Sequence, residues 1–286
     1  MMSKKDKDEV TGVDTTGHEW DGIKELNNPL PRWWLWTLYA TIVFAILYSI
    51  AYPAWPLLRG ATPGLLGYST RGEVAERIAE VKAQNAEVSA LLAQSDLASM
   101  DKNGPVYRFG ISGGGAVYRA NCSQCHGAGA AGAKGYPNLL DDDWLWGGSL
   151  PDIEATIRHG IRNTQDDDAR YSEMPKFGEI LKPSEIAATA RYVLSLSGAN
   201  DGATPQGQTL FSENCSACHG AQGQGDREQG APALNDAIWL YGGNLDAVTA
   251  SITNARFGVM PAWGARLSEA DIKAVSLYIH QLGGGE

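Results

Sequence analysis

No charged residue occurs from Trp33 to Tyr52, WWLWTLYATIVFAILYSIAY. It is apolar on every side, so its helix would not be amphipathic. Twenty residues at ~1.5 Å each span ~30 Å, the hydrocarbon thickness of a bilayer. Trp33, Trp34 and Trp36 stand at one rim, and Tyr48, Tyr52 and Trp55 toward the other, the distribution of interfacial aromatics. Pro53 and Pro56 end the helix. The pattern predicts one transmembrane helix within residues 33–57. It starts too late and runs too long for a cleaved signal peptide, so it reads as an anchor. Lys4, Lys5, Lys7, Lys24 and Arg32 precede it, and only Arg59 and Arg71 follow closely. That imbalance predicts a cytoplasmic N-terminus in a bacterial inner membrane, with everything after Arg59 periplasmic.

Polar and mixed-charge residues fill the segment 1–32, and residues 1–16 read as disordered in isolation. Beyond the anchor, residues 58–107 form a connector. Within it, Thr70 and Glu73 make a capping box, and Val74, Ile78, Val81, Val88 and Leu92 recur at helical spacing. The expectation is a helix from Arg71 to Ala98 that either packs on its own domain or docks a partner subunit. Gly104–Gly115 reads as a glycine-rich loop, and Ser197–Gly207 has linker composition.

The remaining pattern occurs twice. PNLLDDDWLWGG from Pro137 matches PALNDAIWLYGG from Pro232, and Met174-Pro175 matches Met260-Pro261. Ile186, Tyr192 and Leu196 match Ile272, Tyr278 and Leu282. Each copy ends in an amphipathic segment, with Ser184 and Ser268 as candidate N-caps. The offset is 95 at the tryptophans (239 − 144) and 86 at the methionines (260 − 174), so the second copy is shorter by about nine residues. Two homologous domains are expected, at residues 108–199 and 200–286.

The cysteines give these domains their chemistry. CSQCH occupies Cys122–His126 and CSACH occupies Cys215–His219, and together they use every cysteine in the chain. Cys-x-x-Cys-His is the attachment signature of c-type haem. Both thiols lie on one side of a helical turn, where they form thioethers, and the imidazole binds the iron. Redox disulfides or a zinc site are the competing readings, but structural zinc sets its second ligand pair well away from the first. Two covalent haem c groups follow, on Cys122 and Cys125 and on Cys215 and Cys218, with His126 and His219 as axial ligands. Such domains resemble class I cytochrome c, a small all-α fold in which haem supplies much of the core.

Met174 and Met260 occupy matched places before proline and ahead of the last helix, which makes them the candidate sixth ligands. Local pairing of each methionine with its own domain's haem is the simple default, and exchange between neighbouring domains is the alternative. His159 is a weaker candidate. His280 matches Leu194, and Met100 lies outside both repeats. Trp144, Trp146, Trp239 and Tyr241 read as packing residues, and Pro137 and Pro232 as loop-shaping residues near the histidines. No catalytic residue is identified.

The net charge of −10 argues against nucleic-acid binding and suits a positively charged protein partner. GHEWDGIKELNNPLPRWW, Gly17–Trp34, stands directly before the anchor. This segment, one span and two CxxCH domains together resemble the CcoP (FixP) subunits of cbb3-type cytochrome c oxidases over essentially the whole chain. The resemblance implies electron transfer from a donor cytochrome c, through the mono-haem subunit, to a haem–copper catalytic subunit that reduces oxygen and pumps protons. It also implies His126, Met174, His219 and Met260 as iron ligands. A free-standing membrane-anchored dihaem shuttle is the first alternative, and a dihaem peroxidase is the second.

Overall fold

A computed structural model describes residues 6–199 and 202–286. It divides into two compact units, residues up to Ala83 and Gln84–Glu286. Apart from two small hairpins, its regular structure is helical.

In the first unit, β1 (Thr15–Trp20) pairs antiparallel with β2 (Ile23–Leu26). Asp21 and Gly22 turn the chain with φ of 50° and 84°, the left-handed pair that an Asp-Gly hairpin turn requires. Lys24 Nζ bonds Asp6 Oδ2 at 2.6 Å, and Thr15 is buried. Residues 6–16 are thus held against the hairpin rather than disordered as expected; residues 1–5 lie outside the described chain.

The apolar run forms α1 (Arg32–Ala51), a helix long and apolar enough to cross a membrane, with no residue buried within the protein. Pro53 ends it, and the chain folds back so that Leu65 and Leu66 N–H groups donate to Ile50 O and Ala51 O. A small hairpin, β3 (Pro56–Leu57) with β4 (Gly60–Ala61), lies within that return. The connector helix is α2 (Thr70–Gln84), and Ser69 rather than Thr70 caps it, its Oγ accepting from Gly72 N at 3.2 Å. Val74, Ile78 and Val81 remain exposed. The helix expected to reach Ala98 breaks at Asn85.

The second unit begins with α3 (Ala86–Gln94), which packs on α4 (Pro105–Asn121). Expected as a loop, Gly104–Gly115 instead lies largely inside α4. Its glycines are there for close approach: a Cβ at Gly114 would collide with Ala274 O, and one at Gly110 would come within 2.7 Å of Leu277 Cδ1. Tertiary packing overrides glycine's poor helix propensity here.

A single turn, α5 (Ser123–His126), carries the first haem motif, and α6 (Leu150–His159) follows, capped by Ser149. A 3₁₀ turn at Phe177–Glu179 precedes α7 (Pro183–Leu196). That helix begins at Pro183, with Glu185 Oε2 accepting the N–H of its cap residue, Lys182 (2.8 Å), so Ser184 is not the N-cap. Next come α8 (Pro205–Asn214), the motif turn α9 (Ser216–His219), α10 (Leu245–Asn254) and α11 (Glu269–His280). Ser268 caps α11 as expected, accepting from Asp271 N.

The two cores do not follow the sequence ranges 108–199 and 200–286. Helix α4 packs mainly on α11, which also meets α6, while α8 and α10 both pack on α7. Each repeat's terminal helix therefore covers the motif-bearing helix of the other. The linker from Leu196 to Pro205 is short, and sequence neighbours α7 and α8 pack together across it.

Candidate haem sites

Each motif sits at the end of a packed helix. Tyr118 on α4 is fully buried, with its ring 5.6 Å from Tyr278 of α11. At the matched place, Phe211 on α8 lies 5.4 Å from Tyr192 of α7. Gly114 and its counterpart Gly207 touch the backbone of Ala274 and Ala188 respectively, so that a Cβ at either would collide. These glycines lie at the same offset as the motifs (207 − 114 = 215 − 122 = 93). That shared offset was the available signal for them, obscured by reading the glycine run as a loop.

The histidines are oriented identically. His126 Nδ1 lies 3.0 Å from Pro137 O, and His219 Nδ1 lies 2.9 Å from Pro232 O. A carbonyl can only accept, so Nδ1 carries the proton and Nε2 keeps its lone pair for a metal. Burial lowers both histidine pKa values, opposed by the proline carbonyls, which favours the neutral imidazole that iron needs. The four cysteines are unpaired, and burial raises Cys122 and Cys215 to about 11. Neutral sulfur suits a thioether; a thiolate zinc site or a redox-active pair calls for the opposite shift. The residues present fit covalent haem at both motifs.

Each core holds one methionine. Met260 packs, partly buried, with Cys122, Trp144 and Tyr278 around Tyr118, Ile153, Ile157 and Ile272. Met174 packs with Trp239 and Tyr192 around Cys215, Phe211, Ile186 and Ile252. Met100 belongs to a separate cluster with Leu92 and Leu277. His159 pairs with Asp166 (3.1 Å), and His280 faces the Glu286 carbonyl (2.8 Å). Both rings therefore have protein partners.

The tryptophan loops obey the same symmetry. The Trp144 and Trp239 indoles lie on Gly148 and Gly243. Trp146 presses on Gly230 of the second repeat, while its counterpart Tyr241 lies on Gly135 of the first. Arg170 stands over Trp146 at 5.9 Å and Arg256 over Tyr241 at 5.8 Å, geometry suited to cation–π attraction. The sequence reading missed these arginines, although they share the 86-residue offset of the methionines. Trp146 is 8% exposed, and its indole N–H has no partner among the described residues.

This doubled arrangement can be set beside known proteins. Residues 12–59 match the N-terminal domain of cytochrome oxidase-cbb3, FixP. Residues 110–193 and 202–279 match cytochrome c oxidase, cbb3-type, subunit III. The chain belongs to the CcoP/FixP family. It is 54% identical to the cbb3-type cytochrome c oxidase subunit CcoP of Cereibacter sphaeroides, over all of both chains. It is 50% identical to subunit FixP of Rhizobium meliloti and 46% identical to CcoP of Azospirillum brasilense, again over the full length of each. Like the CcoP/FixP proteins it resembles, the chain is a membrane-anchored c-type cytochrome with two haem c domains, serving electron transfer as a subunit of a cbb3-type oxidase.

Proposed function

We propose that the protein is the electron-accepting subunit of its oxidase, taking electrons from a donor cytochrome c and passing them through a mono-haem subunit to the haem–copper subunit. In this reading Cys122 and Cys125 hold one haem and Cys215 and Cys218 the other, with His126, His219, Met174 and Met260 as axial ligands. Bound haem contributes one-electron exchange between ferric and ferrous iron. The chain's own groups prepare that role. The proline carbonyls fix the imidazole tautomers, and the two apolar cores exclude water. Thioether sulfur favours the ferrous state and raises the potential. With a histidine and a methionine both holding each haem, the chain would leave peroxide no position to bind.

The observation carrying the reading is that each CxxCH core contains one methionine, at matched sequence positions. The charge imbalance around α1 supports a cytoplasmic N-terminus and periplasmic haem domains, and the acidic chain suits a basic donor. Purification in mild detergent tests the assignment. A multi-span haem–copper subunit and a mono-haem cytochrome should co-purify with the chain. A chain that runs alone would be a free shuttle, and carbon monoxide binding to the reduced protein at neutral pH would reopen the peroxidase reading.

A further inference from the structure

We infer that the segment after the anchor, residues 53–68, is a second membrane-binding element: a wedge at the rim of the bilayer, beside the end of α1, that takes phospholipid as its ligand. Leu57, Leu58, Leu65 and Leu66 enter the acyl chains, and Trp55 lies at the headgroup boundary.

Three observations carry it. The apolar character of the chain does not stop with α1: from Trp33 to Thr70 the single charged residue is Arg59. Trp55 and the four leucines each expose more than half of their surface, and none enters a core cluster among the described residues. Exposed apolar side chains gathered on one short segment mark an interaction surface. Second, the backbone of the loop is largely closed on itself. Leu65 N and Leu66 N donate to Ile50 O and Ala51 O at 2.9 and 3.0 Å, two of the carbonyls that a helix end leaves without partners. Ala54 N and Trp55 N both donate to Thr62 Oγ1, Thr62 N donates to Trp55 O, and β3 pairs with β4. Backbone groups bonded within the protein are what a segment needs where water is scarce. Third, the return of the chain sets the depth. Its bonds to Ile50 and Ala51 hold Leu65 and Leu66 level with the last turn of α1, where a helix of ~30 Å reaches the hydrocarbon edge. Gly64 permits that approach, since its φ is +71° and a Cβ there would strike Ala51 O. Tyr52 stacks on Tyr48 and meets Tyr68 edge-on, an aromatic cluster of the kind found at headgroup depth. The exposed Arg59 adds a long cationic side chain that can reach lipid phosphate from an apolar surface. The wedge continues the surface of the membrane helix α1, and that continuity favours lipid over a separate protein partner.

The oxidase in its own membrane tests this with p-benzoylphenylalanine in place of Leu58, a fully exposed position where a new side chain does not disturb the fold. The same group in place of Glu80, exposed on α2, is the reference. On illumination, mass mapping should find phospholipid attached at position 58 in several-fold excess over position 80. A crosslink from position 58 to another protein chain, or no excess of lipid over the reference, overturns the lipid assignment. A second measurement places a nitroxide on Leu58→Cys in the full-length dihaem protein, held in vesicles of phosphatidylcholine and phosphatidylglycerol. Relative to the same label on Glu80→Cys, its relaxation by dissolved oxygen should rise and its relaxation by a water-soluble nickel chelate should fall. A chelate that reaches position 58 as freely as position 80 puts the loop in water and overturns the wedge.

Discussion

Ile161 and Met260 bond to each other twice through the backbone, N to O and O to N, each at 3.0 Å. The residues lie 99 positions apart (260 − 161), and their pairing joins the end of α6 to the loop that carries Met260. Gly160 stands beside the pair with φ of +77°, and a Cβ there would strike Met260 O. Gly160→Ala should therefore cost about 1–3 kcal/mol from left-handed strain and collision together. The check is denaturant unfolding followed by haem absorbance. An unchanged midpoint would show that the Met260 loop does not depend on this crossing.

Gly230→Ala should loosen the contact between the repeats, because the new methyl would enter the Trp146 ring. Gly230 also has φ of +59°, so space and backbone both oppose a side chain. A loss of about 1–3 kcal/mol is expected. Gly135→Ala, where Tyr241 Cε1 would lie 3.2 Å away, should cost less through collision. Comparing the two unfolding midpoints checks that order.

Asp143 titrates at about 6, raised first by burial and then by the neighbouring Asp236 and Asp141. A carboxyl whose folded pKa is raised binds its proton more tightly in the folded state. Its stabilising protonation is present below the unfolded pKa near 3.8 and is lost as pH rises through about 6. Asp143→Asn should therefore stabilise the protein above pH 6 by about 1–2 kcal/mol after allowance for solvent screening, with little effect below pH 4. Unfolding curves for both proteins across that range provide the test; a constant difference at all pH values would remove Asp143 as the cause.

Cys215→Ala with Cys218→Ala should leave one covalent haem, on Cys122 and Cys125. Haem content per chain after denaturing electrophoresis should fall by half. Two covalent haems in that variant would contradict attachment at the second motif.

Much of this protein is legible in one dimension because the physics involved is local. A twenty-residue apolar run specifies its own helix and its solvent. CxxCH holds two thiols and an imidazole on one turn, and a Pro-x-Leu segment some eleven to thirteen residues later supplies the carbonyl that orients the ring. The internal repeat and its three offsets expose matched methionines, tryptophans, arginines and glycines.

Which copy of each matched element completes which core was not legible. Two homologous repeats offer nearly identical apolar faces, so α7 and α11 each present the same kind of surface to α4 and to α8. Pattern alone leaves both pairings open. Tertiary structure decides between them through terms that act only in three dimensions. They are the short link that packs α7 beside α8, the Ile161–Met260 backbone lock, and the glycines of α4 and α8 that admit one opposing helix closely. The amino-acid sequence by itself determined the haem motifs, the anchor and the candidate ligands; packing between distant segments determined how those parts are shared.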